Sequence, residues 1–211
     1  MFYTVKTPKW VKKLFGSSTW QMPETDKSIY LTFDDGPHPS ITPFVLDELS
    51  KYNAKATFFC IGKNVKNNPS IYNRILAEGH AVGNHTFNHL DGWSTSNAKY
   101  QADVSMAKEI IDSNLFRPPY GRITIKQRKG LFASTKPLKI IMWSVLSGDF
   151  DERVTPEQCC ANVIKNSGNG SVIVFHDSEK AKVRMSYSLP IVLQHFSDEG
   201  FSFKKIDMGI E

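Results

Sequence analysis

Strand-sized runs of β-branched and aromatic residues alternate with helix-forming stretches from residue 29 to residue 205. Such a chain has few folding options. Each strand needs a partner and each crossover helix covers a sheet face, so the strands run parallel. Strands are expected at residues 29–33, 56–61, 81–84, 115–117, 140–145, 171–175 and 201–205. Helices are expected at residues 42–51, with Thr42 as cap and Pro43 at the first position, and at 69–78, stopped by Gly79. Others are expected at 97–112, with Val104, Ala107, Ile110 and Ile111 on one side, and at 124–132, 155–165 and 189–199. About seven βα units point to an α/β fold, a distorted, incomplete parallel (β/α) barrel in a single domain. An open doubly wound sheet is the competing architecture.

The 211 residues leave room for one full-sized domain, and any second one would be small. With 40% hydrophobic and 22% charged residues, disorder is excluded as the overall state. No apolar run approaches the roughly 18 residues of a membrane-spanning helix. The three cysteines, Cys60, Cys159 and Cys160, make neither a disulfide framework nor a zinc-finger spacing. They are compatible with a reducing compartment.

Charge is uneven along the chain. Residues 1–20 carry four lysines and no acid, and residues 113–148 carry seven basic residues and no acid. The remainder holds 15 basic and 21 acidic residues. Two local basic zones are not a nucleic-acid footprint, and no nucleic-acid partner is expected. They read as a basic tail and a solvated helix face. In the tail, Trp10, Val11, Leu14 and Phe15 have helical spacing. A short membrane-surface helix fits that spacing, but the expectation is a segment that packs on the domain and covers an open end.

The reactive side chains cluster just beyond strand ends. Asp34 and Asp35 follow the first strand, and His85 and His89 the third. Arg117, before Pro118 and Pro119, follows the next, Asp149 the fifth and His176 the sixth. In a parallel barrel those ends share one rim, where active sites form. Adjacent carboxylates repel, so the Asp34–Asp35 pair needs a cation or a raised pKa; the same residues also suit a plain Asp-Gly turn. Histidines at i and i+4 on a helical turn share a face and suit a metal. With Asp35 they make a two-His, one-carboxylate site that leaves a position open. His176 is a proton donor in need of an orienting partner, either Asp149 or Asp177. An arginine at position 117 near the carboxylates would hold one ionised.

Together these residues resemble the polysaccharide deacetylase family, also called carbohydrate esterase family 4. Thr32-Phe33-Asp34-Asp35-Gly36-Pro37, His85-Thr86-Phe87-Asn88-His89 and Arg117-Pro118-Pro119-Tyr120-Gly121 are similar to its first three motifs. Gly148-Asp149-Phe150 and Val174-Phe175-His176 are similar to the fourth and fifth. The resemblance implies a metal-dependent hydrolase over residues 26–211, preceded by a basic segment at 1–25. By carry-over, Asp34 is the general base, and Asp35, His85 and His89 bind one divalent metal, usually zinc. Cobalt, nickel or manganese suit the same ligands. His176, oriented by Asp149, is the acid, Arg117 positions Asp34, and the backbone N–H of Tyr120 serves the oxyanion. Pro119, Tyr120, Phe150 and Val174 wall the acyl pocket. The family usually has aspartate where Leu146 stands, tryptophan where Phe150 stands and often leucine where Val174 stands.

The implied activity removes N-acetyl groups from N-acetylglucosamine-containing oligo- or polysaccharides, chitin-like or peptidoglycan-like, giving acetate and free amino sugar. A hydrolase of a small N-acyl or cyclic amide using the same metal site is the alternative, and a non-catalytic sugar-binding module is a further one. A metal-dependent nuclease or phosphatase is disfavoured, because the sequence has no phosphate-cradling glycine loop such as GxxxxGK(S/T). The N-terminus has no apolar core of a secretion signal, which implies a cytoplasmic protein, or an envelope-associated one if that end is incomplete.

Overall fold

The computed structural model describes residues 3–14, 16–23, 25–132 and 137–208. Eight strands, β1 (Ser28–Asp34), β2 (Thr57–Cys60), β3 (Ala81–Asn84), β4 (Leu115–Phe116), β5 (Lys139–Ile140), β6 (Val145–Leu146), β7 (Ser171–His176) and β8 (Ser202–Phe203), form one sheet. Seven of them follow the order β5-β4-β3-β2-β1-β7-β6, parallel throughout, and β8 pairs with the start of β1. The sheet curls into an incomplete (β/α) barrel, as the alternation of elements implied.

Helices α1 (Lys9–Leu14), α2 (Ile41–Ser50), α3 (Gly62–Asn67), α4 (Pro69–Ala77), α5 (Asn97–Lys108), α6 (Ile125–Phe132), α7 (Pro156–Asn166) and α8 (Lys182–Asp198) accompany it. Among the described residues, no helix is long and apolar enough to cross a membrane. Strand β1 shows why two layers form. Ile29, Leu31 and Phe33 enter the main core, while Tyr30 joins a separate apolar cluster with Phe59, Ile141 and Val172. In register across β2, β1 and β7, Phe58, Phe33 and Phe175 stack with centroids 5.1 and 6.1 Å apart. The even positions Thr32 and Asp34 are buried beside Arg117 instead.

Several boundaries differ from expectation. The apolar run at 140–145 is two strands, β5 and β6, on opposite edges of the sheet. Residues 141–144 link them, and the carbonyls of Ile141 and Met142 accept from Arg117 at 3.1 and 2.9 Å. A fully buried apolar run gives no periodicity by which to find such a break. Thr42 is not the cap of α2; Ser40 is, and the Thr42 hydroxyl accepts from the His38 N–H at 2.7 Å and donates to Asp177. Helix α5 ends at Lys108, leaving Ile110 half-exposed. Helix α8 begins at Lys182, not Leu189, and runs through Pro190. Burial of Met185, Leu189 and Val192 in the main core offsets the missing N–H.

The N-terminal segment lies along both edges. Lys6 bridges Val145 of β6 in antiparallel sense, and Thr19 bridges Ile141 beyond β5. The backbone N–H of Leu146 donates to Val5 at 2.8 Å and that of Met142 to Thr19 at 2.7 Å. In α1, Val11 packs against an apolar cluster containing Trp20, while Trp10 is 69% exposed, so these two do not share a buried face. Phe15 lies outside the described residues.

Candidate metal centre and proton-transfer site

Asp34 ends β1, His85 and Arg117 follow β3 and β4, and His176 ends β7, so one rim collects them. The arrangement is built around Arg117, which has no exposed surface. Its Nη1 donates to Asp34 Oδ1 and to Thr32 Oγ1, both at 2.7 Å. Its Cζ lies over the Phe59 ring, 4.1 Å from the centroid. Burial lowers the pKa of this guanidinium while the Asp34 charge supports it. A buried cation in that position fixes one oxygen of Asp34.

Asp35 turns away from Asp34 because its φ of 85° is left-handed. The next residue must be glycine: a Cβ on Gly36 would fall 2.0 Å from a carboxylate oxygen of Asp177. Asp177 instead accepts the Gly36 N–H at 2.9 Å. Burial lifts the Asp177 carboxyl to about 7, against hydrogen bonds from Thr42 and Gly36. Asp177 thus shapes the first turn, and it is Asp149 that orients His176.

His85 and His89 do not sit on a helical turn. The segment is a loop in which Thr86 and His89 adopt φ of 62° and 57°. The i, i+4 spacing still brings the rings within 5.1 Å. Asp103, buried on α5, holds the loop by accepting the N–H groups of Phe87 and Asn88 at 2.8 and 2.9 Å. The start of α3, an unanticipated helix, donates from Gly62 and Lys63 to the carbonyls of Thr86 and Phe87. Asp103 was missed in the sequence; its signal is an acid beside Val104 on the buried side of an amphipathic helix.

Asp35, His85 and His89 offer ligand atoms within 4.8 Å of one another, the one such group among the described residues. The donor set fits a cation on its own chemistry. His85 Nδ1 lies 2.7 Å from the carbonyl of Arg117, which only accepts, so Nδ1 carries the hydrogen. Burial lowers the His85 pKa to about 4, so Nε2 presents a lone pair. It faces Asp35 Oδ1 at 3.8 Å, a buried oxygen with no hydrogen-bond donor. His89 Nε2 is 3.2 Å from the same oxygen. Burial opposes the Asp35 charge, but the His89, His176 and His85 imidazoles hold its carboxyl well below the usual range. Lone pairs converging on one buried gap suit a divalent ion.

His176 Nδ1 lies 2.8 Å from Asp149 Oδ1, so Nε2 is left to face outward. Burial works against the imidazolium, but the charge and hydrogen bond of Asp149 dominate and lift His176 to about 10. Phe150 stands edge-on to the His176 ring at 5.3 Å and also contacts Tyr3 at 5.1 Å. Pro119 and Val174 are buried, and Val174 pairs in register with Thr32 and Leu146. Tyr120, at φ 60° and 54% exposed, stands edge-on to His89 at 4.7 Å. An arginine-held carboxylate, a group of three side chains that could hold a metal ion and an aspartate-held imidazole thus share one rim, an arrangement suited to hydrolysis.

A sequence profile of polysaccharide deacetylases matches residues 21–131. The peptidoglycan-N-acetylglucosamine deacetylase of Bacillus cereus is 35% identical over 197 residues, which cover 89% of this chain and 90% of that protein. A chitooligosaccharide deacetylase of Azorhizobium caulinodans is 34% identical over 166 residues, covering 73% of this chain and 75% of the other. Among solved structures, a peptidoglycan N-acetylglucosamine deacetylase in complex with 4-naphthalen-1-yl-N-oxidanyl-benzamide matches with a TM-score of 0.84 and 32% identity over 95% of each chain.

Proposed function

The chain belongs to the polysaccharide deacetylase family, and from that premise we propose that it is a metal-dependent hydrolase removing N-acetyl groups from N-acetylglucosamine residues of a glycan. The observation that carries the reading is the shared rim: the Arg117-held Asp34, the Asp35, His85 and His89 group, and the Asp149-held His176. The relatives named for peptidoglycan and for chito-oligosaccharides support an amino-sugar substrate.

A divalent ion held by Asp35, His85 and His89, zinc in this reading, would supply Lewis acidity to the acetamide carbonyl and to water. Asp34 takes a proton from water as the water oxygen bonds to the carbonyl carbon. Arg117 holds Asp34 Oδ1 and leaves its second oxygen for that proton. The backbone N–H of Tyr120 donates to the carbonyl oxygen as charge gathers there. His176 Nε2 gives its proton to the sugar nitrogen as the C–N bond breaks. Acetate and a free amino sugar leave, Asp34 returns its proton to solvent, and His176 regains one from solvent. Pro119, Phe150 and Val174 wall a pocket for the methyl group.

The test is acetate release from N-acetylglucosamine oligomers and from small N-acyl amides, with zinc-loaded and chelator-stripped protein. Metal-dependent release from an oligomer is expected. Release from small amides alone would replace the glycan with a small-molecule substrate, and none from any substrate, with metal bound, would overturn the reading.

A further inference from the structure

The start of the chain runs antiparallel to the edge strand β6. The Leu146 N–H donates to the Val5 carbonyl at 2.8 Å, Lys6 bridges Val145, and the Thr7 N–H donates to the Ser144 carbonyl at 2.9 Å. The Thr7 hydroxyl donates to the Trp143 carbonyl at 2.8 Å. That register carries Tyr3 past the end of β6, to the loop that bears Asp149.

Tyr3 meets that loop on both sides of Asp149. A Cβ on Gly148, whose φ is 80° within a degree of 81°, would fall 3.0 Å from the Tyr3 hydroxyl. The Tyr3 ring lies 5.1 Å from Phe150, inclined at 55°. Its hydroxyl donates to the Asp151 carboxylate. Burial first, and that carboxylate second, push the Tyr3 phenol up to about 12, so the group stays a donor. Asp151 is fixed in turn by Arg153, whose Nε and Nη2 donate to it at 2.9 and 2.7 Å. Its N–H donates to the Gly148 carbonyl at 3.0 Å and closes the turn.

Phe150 thus stands between two rings, Tyr3 and His176, with centroids 5.1 and 5.3 Å away. Packed aromatic rings hold one another by shape and by charge distribution. Tyr3 also lines a cleft of about 430 Å³ whose wall, Trp93 apart, comes from the acid-free stretches 1–20 and 113–148. Phe150 is not part of that wall, so the Tyr3 ring closes Phe150 off from the cleft. A reacting group keeps its geometry only if the side chains behind it are themselves locked by packing and hydrogen bonds.

We propose that Tyr3 is a positioning residue: by clamping Phe150 and the 148–151 turn from behind, it keeps the His176 imidazole aimed at the departing nitrogen. This rests on the deacetylase reading above. The N-terminal segment is then part of the reaction site as well as a cover for the sheet edge.

The test uses zinc-loaded full-length protein on an N-acetylglucosamine tetramer and on 4-nitrophenyl acetate, whose nitrophenolate leaves without a proton. Tyr3→Ala should lower kcat on the tetramer about 10–10²-fold with KM little changed, and should leave ester hydrolysis near the native rate. Tyr3→Phe keeps the ring and loses only the bond to Asp151, so it should restore most of kcat. In a Phe150→Ala background Tyr3→Ala should add little, because its effect passes through Phe150. An equal fall on both substrates, or full additivity with Phe150→Ala, would overturn the assignment while leaving deacetylation intact. Should Tyr3→Ala fail to fold, Tyr3→Leu, apolar but without a ring, carries the same expectations. Placement is read separately, without turnover, from the ring resonances of isotope-labelled His176. They should move in Tyr3→Ala and stay in Tyr3→Phe. If nothing releases acetate but that pattern holds, the deacetylase reading falls and the positioning of His176 by Tyr3 stands. Unmoved resonances in a folded Tyr3→Ala would overturn the proposal.

Discussion

Both oxygens of Asp149 face His176: Oδ1 lies 2.8 Å from the ring Nδ1, and Oδ2 accepts the backbone N–H at 2.7 Å. One carboxylate therefore fixes the ring and the strand end that carries it. Asp149 has no exposed surface, and its own carbonyl is held by Arg184 at 2.6 Å. Such a pair sets the tautomer of the imidazole and favours its charged form.

Asp149→Asn should lower kcat by about 10²–10⁴, the range of one general acid's contribution. The pH profile gives the sharper test. In the proposed reaction His176 acts while protonated, so activity should be lost as pH rises through its pKa. Burial alone would lower that pKa, and Asp149 outweighs burial to bring it to about 10. Removing the Asp149 charge should move the alkaline limb of kcat to lower pH. A limb that stays in place in the variant would assign the acid to another group.

The Asp34–Arg117 pair separates catalysis from folding. Asp34→Asn keeps the shape and an acceptor for Arg117, so near-ultraviolet circular dichroism and zinc content should match the native protein while acetate release falls by about 10²–10⁴. Arg117→Met leaves a buried carboxylate without its cation and should cost about 3–5 kcal/mol in urea unfolding. Full activity in Asp34→Asn would remove Asp34 as the base.

Metal removal should be visible in stability as well as in rate. Ligands bring charge and lone pairs together, so the ion binds the folded state in preference to the unfolded one. At a free zinc concentration one hundred times Kd the gain is about 2.7 kcal/mol, or about 5–10 °C in Tm for a domain of this size. Calorimetric titration should give one ion per chain, and His89→Ala should lose both the tight binding and the shift. A shift that survives in His89→Ala would move the ion elsewhere.

Much of the fold was legible because a parallel barrel leaves two signals at once. Apolar runs mark the strands, and the chemistry gathers immediately after them, as Asp34, His85 and His176 do at β1, β3 and β7. What was hidden depends on partners far away in sequence. The break between β5 and β6 follows from carbonyls turned toward Arg117, and an apolar run cannot announce that. The start of α8 was masked by Pro190, which reads as a helix beginning. The loop form of residues 85–89 depends on Asp103 across the turn, although the spacing alone sufficed to pair the histidines. Likewise, the charge count found two basic zones, but only the fold puts them on one cleft.

Away from the site, His80 should make stability depend on pH. Its Nδ1 accepts the Ala56 N–H at 3.1 Å, and its ring stands edge-on to Phe58 at 5.4 Å. Protonating Nδ1 would set two donors against each other in a buried place. Burial first, and the Lys55 charge second, lower its pKa to about 4. The unfolded chain takes up a proton near pH 6.5 and the folded chain only near 4, so the unfolded state binds more protons between those values. The stabilisation is complete above about pH 6.5 and is lost as pH falls toward 4, by about 3 kcal/mol. His80→Asn retains an acceptor for the Ala56 N–H but does not titrate. Urea unfolding at pH 7.5 and at pH 4.5 should therefore show a smaller acid loss in His80→Asn than in the native protein. Equal losses in the two proteins would assign the acid sensitivity to other groups.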